Sequence, residues 1–191
     1  MLEIYAFINT FSYASLDLEM GLVGLQSELM IPLHLNLIPL TNFQWFKGAK
    51  KDQLVSEMST DQACLTSYQM TLDIKAAQFQ GKRIARNFML ALQKLVEKNQ
   101  SYNDELVNEA LALTNVDIAE FKKDRDSELA KHSIQMDQRI AHEMGVVEAN
   151  SIIVFNTQND EAALVYDDVN MQQMEKILLD NPQLRARMRM N

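Results

Sequence analysis

The sequence predicts an α/β fold in which two strand-containing units flank a block of helices. Residues 2–9 are apolar at nearly every position, as in a strand that is buried on both faces. Leucines then recur at helical spacing over residues 16–30, with Asp17 and Glu19 placed in the first turn, where the helix dipole favours acids. A second strand pattern over residues 33–38 completes a right-handed parallel βαβ unit.

The rest of the chain supplies the helical block and the second unit. Helical patterns cover residues 61–80, 83–98, 104–113, 117–123 and 127–144, and Thr60 is the candidate N-cap of the first. Strand patterns at 151–156 and 162–166 predict an antiparallel hairpin, and a last helix follows over 170–179. The order βαβ, helices, ββα is that of a thioredoxin fold with a large α-helical insertion. We predict a thioredoxin-like domain of residues 1–58 and 145–191 and an inserted helical subdomain of residues 59–144.

The elbow between the first strand and the first helix reads Phe11-Ser12-Tyr13-Ala14-Ser15. Thioredoxin-type domains carry Cys-x-x-Cys here, because the helix N-terminus stabilises a thiolate. Ser12 and Ser15 occupy the two cysteine positions, and a serine hydroxyl does not ionise at neutral pH. Because disulfide exchange requires two thiols, we predict no catalytic residue and no redox activity at the elbow. Ser12 is also a residue type that caps helices, which is the simplest interpretation of its presence.

Composition excludes several classes of function. A net charge of −8 and a pI near 4.9 argue against a nucleic-acid or anionic-membrane surface. The single cysteine, Cys64, excludes an intrachain disulfide, and we expect it to be packed and inert. With no leader pattern and no apolar run long enough to span a bilayer, we expect a cytoplasmic protein. Phosphate-loop and zinc-helix motifs are absent from the sequence, so we expect no cofactor and no metal.

A second candidate site is an aromatic loop. Phe43, Trp45 and Phe46 follow the second strand, among lysines. They form either an exposed patch for a protein partner or a cluster packed under its own loop.

Three segments carry a resemblance to a known family. Residues 75–82 read Lys-Ala-Ala-Gln-Phe-Gln-Gly-Lys, residues 121–124 read Phe-Lys-Lys-Asp, and residues 140–146 contain an Ala-x-x-x-Gly-Val run leading into a strand. The chain resembles DsbA-like thioredoxin-fold proteins, and within them the YjbH group, whose members often carry the name dithiol-disulfide isomerase. Asn150 stands where this family keeps a cis-proline, so we predict a trans Ala149–Asn150 bond and a reshaped loop.

The resemblance implies protein binding. YjbH-like proteins act as adaptors that present the Spx transcription regulator to the ClpXP protease, so an Spx-type regulator and ClpXP are the expected partners. The predicted contacts are Phe11, Tyr13 and the loop aromatics Phe43, Trp45 and Phe46. The alternative is a glutathione-binding enzyme similar to kappa-type transferases, which use a serine at the position of Ser12. Those enzymes resemble the parent family in keeping the cis-proline, so glutathione is the less favoured ligand.

Overall fold

A four-stranded mixed sheet forms the centre of the described part of the chain. The computed structural model describes residues 2–28, 33–41, 53–55, 57–146, 148–156, 164–167 and 169–180. The strands are β1 (Leu2–Ile8), β2 (Leu33–Pro39), β3 (Ser151–Asn156) and β4 (Leu164–Tyr166). Their order is β2-β1-β3-β4, with β1 parallel to β2 and antiparallel to β3, and β3 antiparallel to β4. The predicted parallel βαβ unit and the predicted hairpin are therefore both confirmed.

The described helices follow the predicted order. They are α1 (Tyr13–Glu28), α2 (Thr60–Gln78), α3 (Lys82–Asn99), α4 (Asp104–Ala112), α5 (Ile118–Arg125), α6 (Glu128–Glu143) and α7 (Met171–Asp180). Helices α2 to α6 lie between β2 and β3 in sequence, so the prediction of a helical block inside the fold is confirmed. No helix in the described part of the chain is long and apolar enough to cross a membrane.

Caps account for the helix starts that differ from prediction. Helix α2 is capped by Ser59 rather than by Thr60, because Ser59 Oγ accepts from the Gln62 amide at 3.3 Å and Gln62 Oε1 accepts from the Ser59 amide. Helix α1 begins at Tyr13, three residues before the apolar repeat. Asp17 and Glu19 therefore both lie beyond the first turn of α1, and their predicted place in the first turn is wrong.

Strand β1 is buried on both faces, as predicted. Ile4, Ala6 and Ile8 belong to a large apolar cluster that includes residues of α1 to α5, whereas Phe7 packs with α6 residues such as Ala141 on the other face. The large cluster is continuous from the sheet into the helical block. The division of the chain at residues 59 and 144 into two subdomains stays a prediction.

Candidate functional site at the elbow

Ser12 caps helix α1, as the sequence predicts. Its Oγ accepts a hydrogen bond from the Ser15 amide at 3.1 Å, and its carbonyl accepts from the Leu16 amide at 3.1 Å. The Ser12 side chain is only 4% exposed. The hydroxyl at the first cysteine position thus satisfies the backbone of its own helix.

Ser15, at the second cysteine position, is fully buried and completely engaged. Its hydroxyl donates to Asn150 Oδ1 at 2.6 Å and accepts from the Asn9 amide at 3.0 Å. These bonds join the elbow to the loop before β3. A buried hydroxyl that both donates and accepts a hydrogen bond within the protein has a structural role.

Asn150 shows how the loop before β3 is built without proline. The Ala149–Asn150 peptide bond is trans, since the described residues contain no cis bond, and this prediction is confirmed. Asn150 adopts a left-handed conformation with φ of +61°, which asparagine tolerates better than most residues. Its amide donates to the Phe7 carbonyl at 2.7 Å, and its carbonyl accepts from the Val169 amide at 2.9 Å. Asn150 therefore ties β1 to the segment that precedes α7.

Residues 53–55 cover the elbow. Ser12 forms an antiparallel bridge with Gln53, and the Leu54 amide donates to the Phe11 carbonyl at 3.1 Å. The Leu54 carbonyl in turn accepts from Gln100 Nε2 at 2.9 Å. Because residues 53–55 are themselves buried, the two serines lie beneath a layer of protein rather than beside an open cleft. This geometry disfavours the glutathione alternative, which requires an accessible Ser12 hydroxyl.

The residues predicted to contact a partner differ in how exposed they are. Phe11 is 0% exposed and lies in the core, so its prediction as a surface contact is wrong. The residue follows an apolar strand, and residues 53–55 cover its backbone. Tyr13 is half-buried, and its hydroxyl donates to the Leu54 carbonyl at 3.4 Å. Phe43, Trp45 and Phe46 lie outside the described residues.

A buried acid beneath the elbow was missed by the sequence reasoning. Glu19 is 0% exposed, and its Oε1 accepts a hydrogen bond from Gln93 Nε2 at 3.1 Å. Burial raises the Glu19 pKa to about 8, against a smaller lowering by the Gln93 hydrogen bond. Its place beside Leu18 and one turn after Ser15 permits either orientation, and its burial depends on Gln93 of α3, which is distant in sequence.

Cys64 lies in α2, outside the elbow segment. Its side chain is half-buried against the apolar core, which confirms the predicted packing. Burial, with a smaller contribution from the charge of Asp61, raises the pKa of the thiol. The environment therefore disfavours the thiolate that redox chemistry requires.

The sheet, the elbow and the loop before β3 together define a class: a thioredoxin-fold protein with serines at both cysteine positions and an asparagine at the cis-proline position. Comparison with family models agrees, since the family model described as Thioredoxin matches residues 5–176. The chain belongs to this thioredoxin family.

Comparison with curated proteins shows which members of the family the chain resembles. The chain is similar to the ClpXP adapter protein SpxH of Bacillus subtilis strain 168, with 33% identity over 106 residues, which is 54% of this chain and 36% of that protein. It is also similar to the SpxH of Staphylococcus saprophyticus, with 29% identity over 164 residues, which is 85% of this chain and 59% of the relative. The chain thus spans about a third to three-fifths of these relatives. They are the YjbH group, so the resemblance predicted from the sequence is confirmed.

Solved structures confirm the fold. A protein from Nitrosomonas europaea that carries the provisional name of a protein disulfide isomerase superposes with a TM-score of 0.66 at 8% identity, covering 93% of this chain and 95% of its own. DsbA2 of Pseudomonas aeruginosa gives 0.57 at 13% identity, with coverages of 95% and 91%. The predicted DsbA-like thioredoxin fold is therefore confirmed.

Proposed function

We propose that the protein is a redox-inactive adaptor that binds another protein. The observation that carries the proposal is the engagement of both residues at the cysteine positions of the fold: the Ser12 and Ser15 side chains bond to the protein's own groups beneath residues 53–55. Because both hydroxyl groups are enclosed and bonded, they stabilise the fold and do not react with a substrate. The names of the curated relatives, ClpXP adapter proteins, support the same role.

The chemistry of the residues supports redox inactivity. Thiol–disulfide exchange needs one thiol to attack and a second to resolve the mixed disulfide, and the sequence holds Cys64 alone. The Cys64 pKa is raised, which disfavours attack by that thiol. Neither serine hydroxyl can replace a thiolate at neutral pH.

More specifically, we propose that the protein presents an Spx-type regulator to the ClpXP protease. With Phe11 in the core, the proposed contact surface consists of Tyr13 and the loop aromatics Phe43, Trp45 and Phe46. An aromatic side chain at the centre of an interface can contribute about 2 kcal/mol or more to binding. Tyr13 is the first residue of α1, and its hydroxyl bonds to Leu54. Residues 53–55 follow the aromatic loop in sequence, which supports grouping Tyr13 with the loop aromatics.

A reconstituted degradation assay tests the proposal. Purified ClpXP degrades an Spx-type regulator with and without this protein, and we expect faster degradation in its presence. Trp45→Ala and Tyr13→Ala should weaken the acceleration, whereas Tyr13→Phe, which keeps the ring and removes only the hydroxyl with its 3.4 Å bonds to Leu54 and Gln100, should retain it. Unchanged degradation with the wild-type protein would remove the Spx role. Acceleration that survives both alanine substitutions would keep the role and reject the proposed surface.

A further inference from the structure

A cavity of about 250 Å³ lies between the sheet and the helical block. Its walls come from β1, β2, α2, α3 and α6, and none of its lining residues belongs to the elbow. Leu37, Ile74, Met89 and Ile140 supply an apolar surface, beside which several charged side chains line the same space. Ligand cavities commonly combine an apolar wall with a few polar groups in this way.

Most charged groups of this cavity are paired. Lys75 forms an ion pair with Asp137, and Lys82 Nζ donates to Asn36 Oδ1 at 2.7 Å. The Asn36 amide in turn donates to Glu3 Oε1 at 3.0 Å. Each lysine and each carboxylate of the lining thus has at least one ionic or hydrogen-bond partner in the described part of the chain.

Arg86 is the exception. Its Nε is enclosed and has no hydrogen-bond partner in the described part of the chain, although the side chain lines the cavity. Burial, and to a smaller extent the charge of Arg83, lowers the Arg86 pKa. An enclosed donor of a charged group without an acceptor is unfavourable, so an anion supplied by a ligand would remove this cost.

We propose that this cavity binds a small organic carboxylate, with its charge against Arg86 and its apolar part against Leu37, Ile74 and Met89. A guanidinium matches a carboxylate through two parallel hydrogen bonds, which gives both strength and orientation. The lining carries three basic and two acidic side chains, so a single anion balances its charge. A volume below the roughly 300–1,000 Å³ of drug-sized pockets indicates a ligand no larger than an amino acid or benzoate. This site is independent of the proposed adaptor role.

The test compares a carboxylate with a neutral molecule of the same shape. The probes are 4-methylpentanoate and 4-methylpentanamide, titrated to millimolar concentration while nitrogen–proton correlation spectra follow the Arg86 Nε–H signal. We expect the carboxylate to shift this signal saturably and the amide to leave it unchanged. The affinities of the Arg86 variants are measured from the backbone amide signals of Ile74 and Met89, which every variant retains. Arg86→Gln should lower the carboxylate affinity by about tenfold or more, and Arg86→Lys by less, because lysine keeps the charge but cannot form two parallel hydrogen bonds.

Arg83→Gln is the matched control, since it removes an exposed arginine of the same helix that does not line the cavity and should lower the affinity far less than Arg86→Gln. Circular dichroism verifies that each variant is folded. Absence of a carboxylate shift, equal binding of the amide, or wild-type affinity in Arg86→Gln would each overturn the proposal. The comparison of the two probes on the wild-type protein decides the question even if the Arg86 variants do not fold.

Discussion

Replacing Glu19 by glutamine should stabilise the protein, and the gain should grow as the pH rises. The carboxyl group is fully buried, with Gln93 Nε2 donating to its Oε1 at 3.1 Å. In the described part of the chain, neither Glu19 Oε2 nor Gln93 Oε1 has a partner. A proton on Oε2, or the amide nitrogen of a glutamine, gives the pair a donor that a carboxylate lacks.

The sign follows from the raised pKa. The Glu19 pKa rises from 4.5 to about 8 on folding, so between these values the unfolded chain releases a proton that the folded chain retains. The contribution of Glu19 to stability is therefore most favourable below about pH 4.5 and falls by up to about 1.4 kcal/mol for each pH unit until about pH 8. From about pH 4.5 to pH 7, the carboxyl group should cost about 3 kcal/mol. Glu19→Gln removes this cost, equivalent to roughly 6–12 °C in Tm for a chain of this size.

Equilibrium unfolding in urea at several pH values between about 5 and 8 measures the effect. The difference in unfolding free energy between Glu19→Gln and wild type should increase through this window and then level off. Asp17→Asn is the matched control, because it neutralises an exposed carboxylate in the same helix and should give a difference that is small and nearly independent of pH. A difference for Glu19→Gln that stays constant with pH, or decreases, would refute the reasoning.

Two further predictions concern the elbow. The protein should not reduce insulin or refold scrambled ribonuclease, because Cys64 is its one thiol in the sequence; activity above an albumin control that persists in Cys64→Ala would contradict this. Ser15→Ala should cost about 1–3 kcal/mol in urea unfolding, because it leaves Asn150 Oδ1 without its donor and the Asn9 amide without its acceptor. Ser12→Gly, which removes the cap bond to the Ser15 amide, should cost less than Ser15→Ala, and equal costs for both variants would argue against the Ser15 network.

Periodicity predicted the elements of this fold because apolar spacing reflects which faces are buried. The strand at residues 2–9 and the helix at 83–98 were both found within one residue of their predicted ends. Helix starts were less accurate, because a cap depends on one side-chain bond: Ser59 rather than Thr60 begins α2. The role of a polar side chain was likewise predictable where its partner is close in sequence. The Ser12 cap could be predicted because its partners are local in sequence.

Burial at the elbow could not be predicted, because it depends on segments that are distant in sequence. Phe11 is an aromatic residue at a predicted turn, where exposure is a reasonable expectation, yet it lies in the core beneath Leu54. Glu19 lies among polar and apolar neighbours that permit either orientation, and its burial depends on Gln93 of α3. In both cases the deciding contact joins residues more than 40 positions apart.

Ser15 and Asn150 form one interdependent unit. Ser15 bridges the Asn9 amide and Asn150 Oδ1, and the left-handed Asn150 binds the Phe7 carbonyl through its own amide. A sulfur atom at position 15 is a weak donor and acceptor, so it would satisfy neither partner well. A proline at position 150 would have no amide to donate and could not adopt a positive φ. Placing a cysteine at position 15 or a proline at position 150 is therefore expected to destabilise the fold, because either change weakens or removes hydrogen bonds that join β1, the elbow and the loop before β3.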